Sequence, residues 1–390
     1  MLVSAVLFCG LCLGVEQASS VAVPPEKAVP LIKVDEQALL TAFAADFANR
    51  EELLPALDNS IGALNKPSAK TRYPVSGISY EAVLSSLAVF RMILVSSQTA
   101  EEFAQRMSER FDLYCSCGAD GEGKVIFTGY WEPVFGGSRE RNDQFRYPLY
   151  KLPPDLAKAP DGTPLGRVTP DGTVPYYTRE EIERDGKLDG KGLEIVYLAD
   201  RFEAFLVHIQ GSALIKLPDG TRVRLGYAGK TDIPYSSVGE ALIAAGKLKR
   251  NEVSIPRMRE YFREHPEDLD KFLYVNKNYV FFKEGGDGPL GCLGVKLTPM
   301  RSIATDRDFF PIGALAFIAT EMPDVKEGNL VGRKKLAQFV LDQDAGGAIQ
   351  TPGRVDIFMG TGADAETAAG HQLAEGKLYY LFLKKLVVQE

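Results

Sequence analysis

Two aspartates, Asp344 and Asp356, stand twelve positions apart in "QDAGGAIQTPGRVDIFMGTG", with a glycine pair and a proline-glycine turn between them. Carboxyl groups held in a groove are common instruments of acid–base catalysis. Aspartate is disfavoured in strands, yet Asp356 sits inside "RVDIFMG", which otherwise predicts one. Alternation then directs Val355, Ile357 and Met359 to a core and Arg354, Asp356 and Phe358 to a groove. A carboxyl partly dried beside an aromatic ring has its pKa raised toward neutrality, as an acid catalyst needs. A plain charge pair with Arg354 is the competing reading. Asp344, next to flexible glycines, is either a second groove carboxylate or an Asx-turn residue. Asp306, in "SIATDRDFFPIG", has the same two readings.

Three further stretches carry polar or aromatic groups beside glycine. "FTGYWEPVFGGS" holds Thr128, Gly129, Tyr130 and Trp131, the single tryptophan. "VHIQGSALIKL" holds Gln210, Gly211 and Ser212, and "YVNKNYVFF" holds Asn276, Asn278 and Tyr279. Neutral amides, hydroxyls and rings suit a ligand rich in hydroxyl and acetamido groups; each also has a reading as core or turn.

Other chemistries find no support. Three histidines (His208, His265, His371) lie far apart, against a metal cluster or a His-dependent triad, so no metal or cofactor is expected. No G-x-S-x-G, Walker or G-x-G-x-x-G pattern occurs. A net charge of −7 with mixed signs argues against a nucleic-acid partner. Cys115, Cys117 and Cys292 read as small buried residues.

The elements that must position these groups change in texture along the 390 residues. "LVSAVLFCGLCLGV" followed by "ASSVA" predicts a signal peptide over residues 1–22 and hence export. Cys9 and Cys12 raise a lipid anchor, although Phe8 and Leu11 before them are bulkier than such processing favours. Residues 23–34 read as a linker. Apolar spacing then predicts helices, the first capped by Asp35. From "KVIFTGYWEPVF" onward, short strands alternate with Gly, Pro and Asp turns, including "FEAFLVHIQG" and a hairpin at "LPDGT". A helical interlude, "SSVGEALIAAGKLKRNEVSIPRMREYFREHP", interrupts them. Many short strands predict barrels.

"FTGYWEP", "YPLYKLP", "FLVHIQGSALIKLPDG", "GYAGKTDIPYSSVGEALI", "VNKNYVFF", "GVKLTPMRSIATD" and "QDAGGAIQTPGRVDIFMGTG" resemble, in this order, the blocks of the MltA family of lytic murein transglycosylases. Asp306, Asp344 and Asp356 match the family's three-aspartate domain. The resemblance spans residues 125–382. It implies a mainly β fold with N-terminal helices: a double-psi β-barrel, a second inserted β-barrel and a groove between them. The implied division is residues 23–133 for the helices and the start of the first barrel, 134–287 for the insert, and 288–390 for its completion. It implies a monomeric, exo-acting lyase in the periplasm or at the outer membrane. Its partner would be peptidoglycan glycan strands, cut between N-acetylmuramic acid and N-acetylglucosamine to leave 1,6-anhydro ends. Asp356 would be catalytic with Asp344 assisting, and Thr128, Gly129, Tyr130, Gln210, Gly211, Ser212, Tyr279, Asp306 and Phe358 would line the groove. A hydrolysing muramidase and a non-catalytic glycan-binding module are the alternatives. Trp131, where the family commonly has tyrosine, is expected to tune sugar stacking.

Overall fold

Helical spacing of apolar residues builds the N-terminal part. The computed structural model describes residues 30–35, 37–160, 162–250 and 252–384, so the apolar leader with Cys9 and Cys12 lies outside the described residues. Strand β1 (Leu31–Val34) leads into α1 (Leu39–Asp46), α2 (Arg50–Leu64), α3 (Tyr80–Ser96) and α4 (Ala100–Arg110). Ser79 and Thr99 begin α3 and α4 by accepting the Ala82 and Glu102 N–H groups, a normal N-cap. Two expectations fail here. Residues 31–34 are a strand, not linker, because β2 (Phe111–Ser116) offers an edge on which they pair antiparallel. Asp35 does not cap α1, which starts after Ala38 with no side-chain cap. The chain must first turn away from β1, and the Asp35 carboxylate accepts from Gln37 instead.

After β2 come β3 (Val125–Glu132), β4 (Val134–Ser138), β5 (Tyr147–Tyr150), β6 (Leu156–Lys158), β7 (Pro164–Thr169) and β8 (Gly172–Val174). Then follow α5 (Arg179–Glu183), β9 (Glu194–Leu198), α6 (Arg201–Gln210), β10 (Ala213–Lys216) and β11 (Arg222–Lys230). Helices α7 (Val238–Ala244), α8 (Ile255–Glu264) and α9 (Leu269–Leu273) precede β12 (Val280–Glu284). The chain ends with β13 (Ser302–Ala304), β14 (Leu315–Lys326), β15 (Asn329–Asp344), β16 (Arg354–Thr361), α10 (Ala363–His371) and β17 (Leu373–Leu383).

Strands β17, β14, β15, β13, β16 and β3 pair in that order, and β3 returns to β17, closing a six-stranded barrel. The pairs β13–β15 and β16–β3 are parallel and the rest antiparallel, the mixed ring of a double-psi barrel. A closed ring leaves no exposed edge within it. The second sheet, β12–β11–β10–β4–β9–β5, has its two ends joined by one bridge between Lys151 and Phe282. Strands β6, β7 and β8 form a small separate sheet. The hairpin at "LPDGT" forms as read, with β10 against β11. "FEAFLVHIQG", read as a strand, is instead α6. Its apolar run satisfies either period; the ends decide. Asp200 accepts the Glu203 N–H at 2.8 Å, and Gly211 closes the helix at φ 73°, a left-handed position suited to glycine.

The N-terminal helices pack on the barrel through buried side chains. Phe339 of β15 meets the rings of Phe43, Phe90 and Phe103 at 4.8, 5.1 and 5.8 Å. Beside it, Arg301 makes a bidentate pair with Asp46 of α1 at 2.9 and 3.0 Å, and Asp46 also accepts the Phe339 N–H. Both side chains are buried. Gln343, completely buried, donates to Ala56 O and Ser60 Oγ of α2 and accepts from Ser302 of β13. Removing one member of a buried ion pair strands the other charge and typically costs about 3–5 kcal/mol. Asp46→Ala is therefore expected to lose about that much in urea-monitored unfolding; a loss under about 1 kcal/mol would show that Arg301 finds another partner or water.

Candidate active site

The short strand β13 sets the geometry. Its last residue, Ala304, pairs with Asp344 on β15 and with Asp356 on β16. The two aspartates therefore flank one residue, with backbones roughly 10 Å apart, two inter-strand spacings. On the far side of β16, Asp356 lies opposite Thr128 and Phe358 opposite Tyr130 of β3. The predicted pattern of "RVDIFMG" holds for Val355, Ile357 and Met359, which enter the core. Phe358 departs from it. At 2% exposure it is packed against the Tyr130 ring, centroids 5.3 Å apart, and dries the site instead of facing a ligand.

The two carboxylates differ in their partners. Asp344 is saturated: Oδ1 accepts the Ala345 and Cys292 N–H groups and Oδ2 accepts the Tyr130 hydroxyl, each at 2.9 Å. Burial pushes its pKa up to about 6 while these three donors pull it back. Asp356 is half-buried, and its Oδ1 is sealed with no hydrogen-bond partner among the described residues. Burial raises its pKa to about 6, Arg354 opposes the rise and the Asp344 charge adds to it. Arg354 is not paired with Asp356 by hydrogen bonding; its Nη2 donates to Thr128 Oγ1 at 3.1 Å. A carboxyl group with an unengaged oxygen and a raised pKa is equipped to hold and release a proton; one with every oxygen engaged is equipped to stay charged.

The second domain reaches this site. Gln210, at the end of α6, accepts the Trp131 N–H at 3.1 Å, and Gly211 and Ser212 follow it. Tyr235, which the sequence reading did not single out, packs against the loop between the aspartates, with its Cβ 3.5 Å from where a side chain at Gly347 would begin. Burial raises the Tyr235 pKa and the Asp356 charge adds to it. Asn276 and Asn278 hold the Tyr235 loop by bonding Ser236 N and Ile233 O. The "VNKNY" block thus braces a loop from behind.

Four expected groove residues sit elsewhere. Tyr279 is 1% exposed, its ring 4.3 Å from His208 in the core of the inserted domain. It adjoins Val280, Phe281 and Phe282, which are buried in succession without alternation, so the single stretch does not reveal its direction. Trp131 is also 1% exposed and belongs to the first barrel's core, so it does not stack on a ligand. Gly129 faces away from Thr128 and Tyr130; a Cβ there would meet Met359 and Ala369 at 2.8 and 3.0 Å, so glycine lets α10 pack closely. Asp306 is a turn residue, accepting the Asp308 and Thr351 N–H groups. Cys115 and Cys117 are buried as read, whereas Cys292 is exposed and caps Asp344 through its backbone. Among the described residues, no cluster of three or more His, Cys, Asp or Glu side chains is placed to hold a metal.

Fold and site define a two-barrel enzyme with a carboxyl pair on the rim of its first barrel. Residues 126–283 match the MltA specific insert domain, and residues 301–382 match the 3D domain. The membrane-bound lytic murein transglycosylase A of Vibrio cholerae is 32% identical over 276 residues, covering 70% of this chain and 69% of its own. The chain belongs to the MltA family. A membrane-bound lytic murein transglycosylase from Agrobacterium tumefaciens has a similar crystal structure, with 28% identity, coverage of 90% and 97%, and a TM-score of 0.76. Escherichia coli MltA with bound chitohexaose is similar at 25% identity over 90% and 94%, with a TM-score of 0.62.

A third buried carboxyl, Asp342, lies two residues before Asp344. It accepts from the Tyr380 and Thr305 hydroxyls, while its Oδ1 has no partner. Burial raises its pKa to about 7, the two hydroxyls oppose the rise and Asp344 adds to it. A carboxyl whose pKa is higher folded than unfolded, where it is about 3.9, stabilises fully below the unfolded value. That contribution is lost as pH rises through the folded value. The melting temperature of Asp342→Asn minus that of the parent is therefore expected to increase between pH 4.5 and pH 8. A flat difference would mean that Asp342 titrates normally.

Proposed function

We propose that this chain is an exported lytic murein transglycosylase that cleaves the β-1,4 bond between N-acetylmuramic acid and N-acetylglucosamine in peptidoglycan. Asp356 is its single acid and base. The carrying observation is the contrast at the rim: Asp356 has an unengaged, dried oxygen, and every oxygen of Asp344 is taken. Hydrolysis by two carboxyls requires a second group free to attack or to activate water. Asp344, tied to three donors, is poorly suited to either role, which favours a nucleophile supplied by the substrate.

In the proposed sequence, protonated Asp356 donates to the glycosidic oxygen as the bond to C1 of the muramic residue breaks. Positive charge develops on the sugar ring, and the Asp344 carboxylate helps to stabilise it. The Asp356 carboxylate then takes the proton of the C6 hydroxyl as that oxygen closes on C1, giving the 1,6-anhydro end. Ring closure within one sugar replaces a bimolecular attack and benefits from proximity. Thr128, Tyr130 and Gln210 orient the sugars, with Ser212 buried behind Gln210, and Tyr235 faces them from the inserted domain. The proposed steps call on no metal. The insert spans residues 134–287, and the protein acts as a monomer on the periplasmic side, at the outer membrane.

Asp356→Asn is expected to abolish release of anhydro-muropeptides from purified sacculi, read by mass spectrometry, while sacculus binding persists. Products heavier by one water would instead identify a muramidase, and pull-down without product from the parent enzyme a binding module. Asp344→Asn is expected to slow the reaction less, by about 10–1,000-fold, the scale of losing electrostatic stabilisation. Because the reacting form of Asp356 is protonated, kcat/KM is expected to fall as pH rises through about 6; a rate that climbs from pH 5 to pH 8 contradicts the acid role.

A further inference from the structure

A cavity of about 520 Å³ opens on the inserted domain and includes none of the rim residues. Its charge is segregated along one strand ladder. Arg146 precedes β5 and donates its backbone N–H to Leu198 O. Arg141 lies five residues earlier, and both arginines are exposed. Among the described residues neither forms an ion pair. At the other end of the ladder, Glu194 pairs in register with Tyr150, and Asp189 accepts the Tyr150 hydroxyl at 2.8 Å. Neither acid has a cationic partner among the described residues. The two ends are about 13 Å apart, four residues of strand. Glu183 and Arg201 also line the cavity but neutralise each other at 2.9 Å.

The wall holds an unused donor. His208 is 4% exposed and lines this cavity. Its Nδ1 accepts the Val280 N–H, so the neutral ring carries its proton on Nε2, which has no protein partner among the described residues. Burial keeps the ring neutral, its pKa well below the usual value. A cavity with cations at one end, anions at the other and a neutral donor on its wall fits a peptide bearing a carboxylate and, roughly 13 Å or less away, an ammonium on a long side chain.

We infer that this cavity binds the peptide stem carried by the muramic residues of peptidoglycan, with Arg141 and Arg146 taking a stem carboxylate and Asp189 and Glu194 its free amino group. The inference rests on the peptidoglycan reading above. Helix α6 links the two places: its residues Arg201, Ala204 and His208 line the cavity, and its last residue, Gln210, bonds the end of the barrel strand that carries Thr128. Nine residues of helix span about 14 Å, within reach of a stem of four or five extended residues. The cavity would then select peptide-bearing strands while leaving bond cleavage to the rim.

The test uses the full mature chain and three probes: the N-acetylated tetrapeptide N-acetyl-L-alanyl-D-glutamyl-diaminopimelyl-D-alanine, whose only ammonium is the diaminopimelyl amine as in the stem, peptide-bearing glycan strands, and strands stripped of peptide by an amidase. The variants are Arg141→Ala/Arg146→Ala and Asp189→Asn/Glu194→Gln. The free peptide is expected to shift the His208 ring resonances of the parent, and each double variant to weaken that titration by about tenfold or more. On peptide-bearing strands KM is expected to rise by a similar factor with kcat unchanged; on stripped strands neither should move. No shift at His208, equal titration in parent and variants, or an equal KM rise on both substrates overturns the inference. Failure of the parent to form anhydro ends on stripped strands would instead sink the catalytic reading, and the peptide titration would still decide this one.

Discussion

Everything at the rim depends on the register of a three-residue strand. Ala304 has Asp344 on one side and Asp356 on the other, so the twelve-residue spacing in sequence becomes a fixed lateral separation. A slip of one residue in either neighbour would turn its aspartate to the opposite face. The register is held from below. Ser302 donates to Gln343, Gln343 reaches α2, and Arg301 is clamped by Asp46. These buried polar contacts are costly if incomplete, and that same cost makes them specific. The N-terminal helices thus fix the placement of strands that hold the acids, a role that their amphipathic pattern alone does not disclose.

The third aspartate of the family motif belongs to this scaffold. Asp306 accepts the N–H of Thr351 at 2.9 Å, and Thr351 sits at φ 74°. A positive φ on threonine is strained and persists only where surrounding contacts enforce it. Asp306 therefore stabilises the tight part of the loop that joins Asp344 to Asp356. Three aspartates thus divide three tasks: one shapes the connection, one remains charged among donors, and one is left without a partner.

Much of this was legible in the residues. An aspartate interrupting "RVDIFMG" violates strand preference, and such local conflicts concentrate at functional positions. The alternation placing Val355 and Ile357 inward was also readable, as was the change from helices to short strands near residue 125. What failed has a common cause. Trp131 and Gly129 lie beside the half-buried Thr128 and Tyr130, and Tyr279 lies in a motif block buried throughout its Asn278–Phe282 run; the stretches show proximity in sequence without showing which side chains meet solvent. Helix α6 was read as a strand because a continuous apolar run carries no period, and only its caps at Asp200 and Gly211 distinguish the two. Tyr235 was overlooked because its position depends on a loop fastened by Asn276 and Asn278, some forty residues away.

The environment of Asp356 is also consistent with the proposal that one acid is sufficient. Its raised pKa comes first from burial, and burial requires walls that exclude water without offering the carboxyl a bond. Phe358 and Tyr130 supply such walls: the phenyl ring cannot donate, and the Tyr130 hydroxyl is committed to Asp344. Arg354 would lower the pKa further if it bonded Asp356 directly, but its Nη2 is directed to Thr128. The commitment of each polar neighbour to another partner is what leaves the proton on Asp356 available. Releasing Tyr130 from Asp344 would give Asp356 a competing donor, while removing the hydroxyl would leave Asp344 short of one. The role we propose for Asp356 therefore resides less in that residue itself than in the bonds its neighbours make elsewhere.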